Sequence, residues 1–88
     1  MTDEILRVSS KSVPTSVAGA IVGVVREEGS AELHAVGAAA TNQAIKSVAL
    51  ARTYMAETGV DLICVPEFTN VIIDEEERSA IRLTVLPR

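Results

Sequence analysis

Ile5 to Ser9 alternates between Leu6 and Val8 on one side and Ile5 and Arg7 on the other, the two-residue period of a short strand. The polar loop Ser9-Ser10-Lys11-Ser12 follows, and the period then changes. Val17, Ala20, Ile21, Val24 and Val25 recur at helical spacing behind Pro14, with Gly29 as the stop. Ser12 or Thr15 is the expected N-cap. Gly19 and Gly23 sit inside this helix, where each costs about 1 kcal/mol relative to alanine. Close approach to the sheet or to another helix is the expected compensation.

Ala31 to Gly37 reads as a second strand. The stretch Gly37 to Arg52, GAAATNQAIKSVALAR, opens a second helix that ends near Gly59. Its expected core stripe is Ile45, Val48 and Ala49, with Ala44 and Met55 beside them. Val60 to Ile73 is strand-like but contains Pro66, which cannot donate to a ladder and so predicts an edge strand or a bulge. Asp74-Glu75-Glu76-Glu77 reads as a turn. Ser79 to Leu86 then alternates, with Ile81, Leu83 and Val85 inward and Arg82 and Thr84 outward. The order β-α-β-α-β-β predicts a two-layer α/β sandwich, one domain over residues 1–88, without repeats or linkers.

Composition narrows this picture. Hydrophobic residues make up 48% of the 88, too many for a disordered chain, and aromatics only 2%, so the core must be aliphatic. A domain of this size has a modest core, and self-association through an apolar face would help it. The longest apolar run, Val13 to Val25, is interrupted by Pro14, Thr15 and Ser16 and is too short to span a bilayer. The start, MTDEIL, lacks an apolar signal core, and a single cysteine excludes an intrachain disulfide. A reducing cytoplasm is the expected location.

The net charge of −4 lies entirely in the C-terminal part, because residues 1–52 carry five basic and five acidic side chains. Bulk charge therefore argues against non-specific coating of DNA, while a local basic patch on the first half stays open. Lys11 and the serines Ser10 and Ser12 precede a helix N-terminus and suit a phosphate; an ordinary capped turn with a solvated lysine is the plainer reading. Asn42 and Lys46 share a helix side with Gln43 adjoining, and amides beside an ammonium could meet a nucleic-acid backbone or base edges. A solvated helix face is the plain alternative.

Leu50 and Tyr54, opposite Ile45, read as an exposed apolar pair for a homodimer or another partner, with Arg52 paired or at the same interface. Cys64 reads as a buried inert thiol and His34 as a structural or surface residue rather than a catalytic one. No general acid–base pair, nucleophile elbow, glycine-rich phosphate loop or metal-ligand spacing is visible, so no enzyme activity and no cofactor or metal are expected. The acidic turn could attract a cation, though four consecutive carboxylates in a turn usually stay hydrated.

Several stretches in the same order give the chain a family likeness: ILRVSSKS (Ile5–Ser12), SVAG (Ser16–Gly19), NQAIKSVALAR (Asn42–Arg52), VDLICVP (Val60–Pro66) and EERSAI (Glu76–Ile81). With them the chain resembles the stage V sporulation protein S family over nearly its whole length. That family is similar to the Alba-like proteins, which bind DNA or RNA. The resemblance implies a mixed sheet of order 1-2-4-3, its last strand antiparallel, backed by two helices, and a tendency to dimerise. It also implies that Lys11 occupies the place of a lysine that contacts nucleic acid. Asn42 to Ala49 would then match a helix-start motif, with Lys46 fitting and Asn42 and Gln43 standing in for more basic residues.

The chain departs from that pattern at the hairpin, where Alba proteins carry a basic arm and this sequence has Asp74-Glu75-Glu76-Glu77. Such an arm would be repelled by phosphates. The family resembles a regulator of late sporulation, and relatives occur in bacteria that form no spores. The expectation is a cytoplasmic, dimeric regulator that binds DNA or RNA through Lys11, Lys46, Asn42 and Gln43, with Ser10 and Ser12 at phosphates and Arg7 peripheral. The alternative is a protein-interaction adaptor that uses the acidic hairpin and the Leu50/Tyr54 surface.

Overall fold

The structure is a computed structural model that describes residues 4–88; the first residues of the acidic start lie outside them. The elements are β1 (Ile5–Val8), α1 (Pro14–Glu28), β2 (Ala31–Ala35), α2 (Ala38–Ala56), β3 (Leu62–Ile73) and β4 (Glu76–Pro87). They form one four-stranded sheet of order β1-β2-β4-β3. β1 and β2 are parallel, and β4 runs antiparallel to both β2 and β3. The two helices pack against each other and against the sheet, giving the two-layer α/β sandwich.

Alternation fixes which sheet face is buried. Val8, Leu33, Leu62, Leu83 and Val85 point into the core, and Leu33 lies opposite Leu83 in register. Ile21, Val22, Val24 and Val25 of α1 close over them. Each large aliphatic side chain buried this way contributes about 1.5–3 kcal/mol. Ile5 and Arg7 stay exposed on the opposite face, as their alternation predicts.

The helix ends show how the backbone is satisfied. Pro14 occupies the first turn of α1, where its missing N–H costs nothing, and Gly29 closes the helix at φ 89° with its amide 2.8 Å from the Val25 carbonyl oxygen. The N-cap is Val13, with no side-chain hydrogen bond, so neither Ser12 nor Thr15 caps this helix. The Ser12 hydroxyl is engaged instead by the Ser9 amide at 2.9 Å. Gly19 and Gly23 lie on the exposed side of α1 with open space around them, which overturns the expected close approach.

The buried side of α2 is Ala40, Ala44, Ser47, Val48, Ala51 and Met55. The stripe is rotated by about one residue from the expected one: Ile45 is 49% exposed and Ala49 faces outward. Small residues win the inward side because they let α2 lie close to β3 and α1. Ser47, fully buried, is satisfied by donating to the Gln43 carbonyl at 2.7 Å.

β3 is an edge strand, as Pro66 predicts, and its pairing with β4 runs without a bulge from Leu62↔Pro87 to Ile73↔Glu76. The turn is tighter than expected. Asp74 and Glu75 alone form it, at φ 51° and 63°, while Glu76 and Glu77 already belong to β4. Positive φ at both central residues is the twist that joins two strands through a two-residue loop.

Candidate nucleic-acid interface

The loop after β1 is held by its own hydroxyls. Ser12 N–H donates to the Ser9 carbonyl at 3.1 Å, and Lys11 N–H donates to the Ser9 hydroxyl at 3.2 Å. These contacts fold the loop so that Lys11 stands out at its tip, exposed. Ser10 is exposed beside it, whereas Ser12 is half-buried and spends its hydroxyl on the Ser9 amide.

Gln43 ties this loop to α2. Its Nε2 donates to the Ser12 carbonyl at 2.9 Å, across 31 residues of sequence. The β1–α1 loop and the early turns of α2 therefore share one edge of the domain. Lys46 lies one helical turn beyond Gln43 and is exposed, as is Asn42. Among the described residues neither lysine makes an ion pair. Gln43 thus occupies its expected place but spends a donor inside the protein.

Arg7 stands apart from this pair, on the open face of β1 directly across from His34. It lines a cleft of about 770 Å³ with Ser10, His34 and the Gly37–Ala40 start of α2, walled on the far side by Val71 and Ile72. Gly37 precedes α2 at φ 87°, a conformation that a side chain would strain. His34 Nε2 lies 2.8 Å from the Glu32 carboxylate, so the imidazole is already partnered.

Leu50, Arg52 and Tyr54, the residues expected at a dimer interface, all lie on the second half of α2. Leu50 is half-buried and packs against the core, which removes it from the exposed pair, while Tyr54 remains exposed. Arg52 acts as a staple. Its Nε donates to the Leu62 carbonyl at 2.8 Å, and its terminal nitrogen lies 2.9 Å from Asp61. Arg88 meets the other oxygen of the same carboxylate at 2.8 Å. The Arg52 hydrogen bond, opposed by desolvation and helped by the charges of Arg88 and Arg52, holds the Asp61 carboxyl below its ordinary range.

Burial pushes the half-buried Cys64 thiol up, away from the reactive thiolate. Among the described residues no group of three or more His, Cys, Asp or Glu side chains is placed to hold a metal ion, and no helix is long and apolar enough to cross a membrane. The sequence reading placed Ile45 in the core and overlooked Phe68 and Ile72; these residues are large, apolar and exposed. The signal for Phe68 and Ile72 was present, since they are four apart in a strand that Pro66 marks as an edge.

The sheet order, the two helices and the lysine-bearing edge together define a small two-layer α/β domain with its distinctive polar groups on one rim. The sequence model of the Stage V sporulation protein S (SpoVS) family matches residues 4–88, and the chain belongs to that family. The family is a regulatory, non-catalytic one, and membership supports a sporulation-related role.

Proposed function

We propose that this domain is a regulatory protein, without enzymatic activity, that binds DNA or RNA through the edge bearing Lys11 and Lys46. The supporting observation is the Gln43 hydrogen bond to the Ser12 carbonyl at 2.9 Å, which joins the loop of Lys11 to the helix of Lys46. Two unpaired ammonium groups on one rim suit successive phosphates, whose neutralisation releases counterions. Asn42 and Ser10 add exposed polar groups for a backbone, ribose or base edge, while Gln43 and Ser12 position the loop. Arg7 opens onto the neighbouring cleft and extends the surface at its margin. The acidic tip at Asp74–Glu77 takes no part, since phosphates would be repelled there.

The experiment is a titration against fluorescent single-stranded RNA and duplex DNA at low and moderate salt, beside the Lys11→Ala/Lys46→Ala double variant. Binding should fall with salt, and the double variant should lose most affinity, with the salt slope reduced by about one for each lysine. Wild-type affinity in the double variant would remove this edge as the site. No binding at low salt would remove the nucleic-acid reading altogether and leave protein contacts in its place.

A further inference from the structure

The β3–β4 hairpin outruns the sheet to which it belongs. β4 pairs with β2 only through Ile81–Val85, whereas its pairing with β3 continues to Ile73↔Glu76. Thr69–Ile73 and Glu76–Ala80 therefore form a two-stranded ribbon beyond the sheet. Such a ribbon is marginal in water unless something packs on it. Phe68 at its base is 84% exposed and Ile72 near its tip is 76% exposed, both on the same side of β3. Phe68 also borders a groove with Ile45 of α2 and Ile81 of β4, so apolar surface continues from the helix onto the hairpin. At the tip stand Asp74, Glu75, Glu76 and Glu77, none of them ion-paired among the described residues.

We infer that this hairpin is a docking surface for an extended protein segment that is both basic and apolar, added as a strand along the free edge of β3. An edge strand presents outward N–H and C=O groups that an incoming strand can pair, and below the ribbon Pro66 withholds a donor. Apolar side chains of the incoming segment cover Phe68 and Ile72, and its lysines or arginines meet the tip carboxylates. Charge chooses the occupant. A nucleic-acid strand is repelled by the tip, and a second copy brings the same tip and the same net charge of −4. A basic segment is complementary to the acidic tip. This surface does not require Lys11 or Lys46, although it adjoins that edge, for Asn42 borders the Phe68 groove and Ile72 walls the Arg7 cleft.

The test is fluorescence anisotropy with a labelled short peptide of alternating lysine and valine, a glutamate–valine counterpart, and a lysine–valine version N-methylated at alternate amides. The lysine–valine peptide should bind and the other two should not. Phe68→Ser with Ile72→Ser should weaken binding by about tenfold or more, as loss of apolar anchors does. Neutralising the tip with Asp74→Asn, Glu75→Gln, Glu76→Gln and Glu77→Gln should weaken it comparably. All these positions are exposed, so an unchanged melting temperature verifies the fold of each variant. Equal binding of the N-methylated peptide, or indifference to the serine pair, would overturn the inference. So would sedimentation showing a wild-type dimer that the serine pair converts to monomer, because a second copy would then cover the face.

Discussion

Midway along α2, Lys46 stands unpaired among the described residues on the rim that also carries Lys11, while nearer the end of the same helix Arg52 is tied to Asp61 and to the Leu62 carbonyl. Both regions use a long side chain to join α2 to a distant segment: Gln43 reaches the Ser12 carbonyl at 2.9 Å, and Arg52 reaches the Leu62 carbonyl at 2.8 Å. The difference is in the charge. In the second region the cation itself is the tie, and a carboxylate shared with Arg88 neutralises it. In the first the tie is a neutral amide, which leaves the cations free to face outward. A basic residue is thus best assigned a role by what it already holds, and on that criterion Lys11 and Lys46 are available while Arg52 is not.

Removing Arg52 should test this division most severely. Arg52→Ala should lower unfolding free energy by about 1–2 kcal/mol, from the lost carbonyl hydrogen bond and a partly exposed ion pair. Its oligonucleotide affinity should stay at the wild-type value. Denaturant melts and anisotropy on the same preparation check both, and a loss of affinity as large as that of Lys11→Ala would break the comparison. Arg52→Lys sharpens it, since charge is kept while the guanidinium fork that reaches both the Leu62 carbonyl and Asp61 is lost.

Gln43→Ala comes next, with an expected destabilisation of about 1 kcal/mol. Because the loop of Lys11 loses its tether, affinity for nucleic acid should fall while the salt slope keeps its wild-type value. A reduced slope would mean that Gln43 does more than position its neighbours.

The smallest effect is that of pH. Asp61 binds its proton less tightly in the folded chain than in the unfolded one. Its contribution is therefore complete above the ordinary carboxylate range and is lost as pH falls through the lowered folded value. Urea midpoints measured from about pH 5 down to pH 2 should decline less in Asp61→Asn than in the wild type. An identical decline would show that the pair does not contribute.

Much of the architecture is legible in the residues. Pro14 and Gly29 bracket α1 because each has a backbone requirement that few other residues meet, and Pro66 marks β3 as an edge by its missing donor. The alternation of Leu83 and Val85 with Arg82 and Thr84 fixes the inward face of β4. The facing of α2 is harder to read, since alanines occur on every side of it and the period carries little phase information. Ile45 then draws the stripe toward itself, although packing at this distance favours Ala44 and Ala51. Lys11 and Lys46 are each visible in the sequence, but their shared edge depends on a contact between Gln43 and Ser12 that no local pattern encodes. The glycines of α1 teach the reverse lesson, for nothing in the structure packs on Gly19 or Gly23.

The position of β4 has a consequence for biosynthesis. It comes after every other element in the sequence, yet it lies between β2 and β3 in the sheet. Until β4 has been made and has left the ribosome, β3 has no neighbour to pair with, and β1 and β2 are an isolated parallel pair beside two helices. The nascent chain must hold its aliphatic surfaces in an unfinished state until β4 is available, and it completes its sheet with that one insertion. Chaperone contact should therefore be greatest while β3 waits, and should end abruptly when β4 inserts.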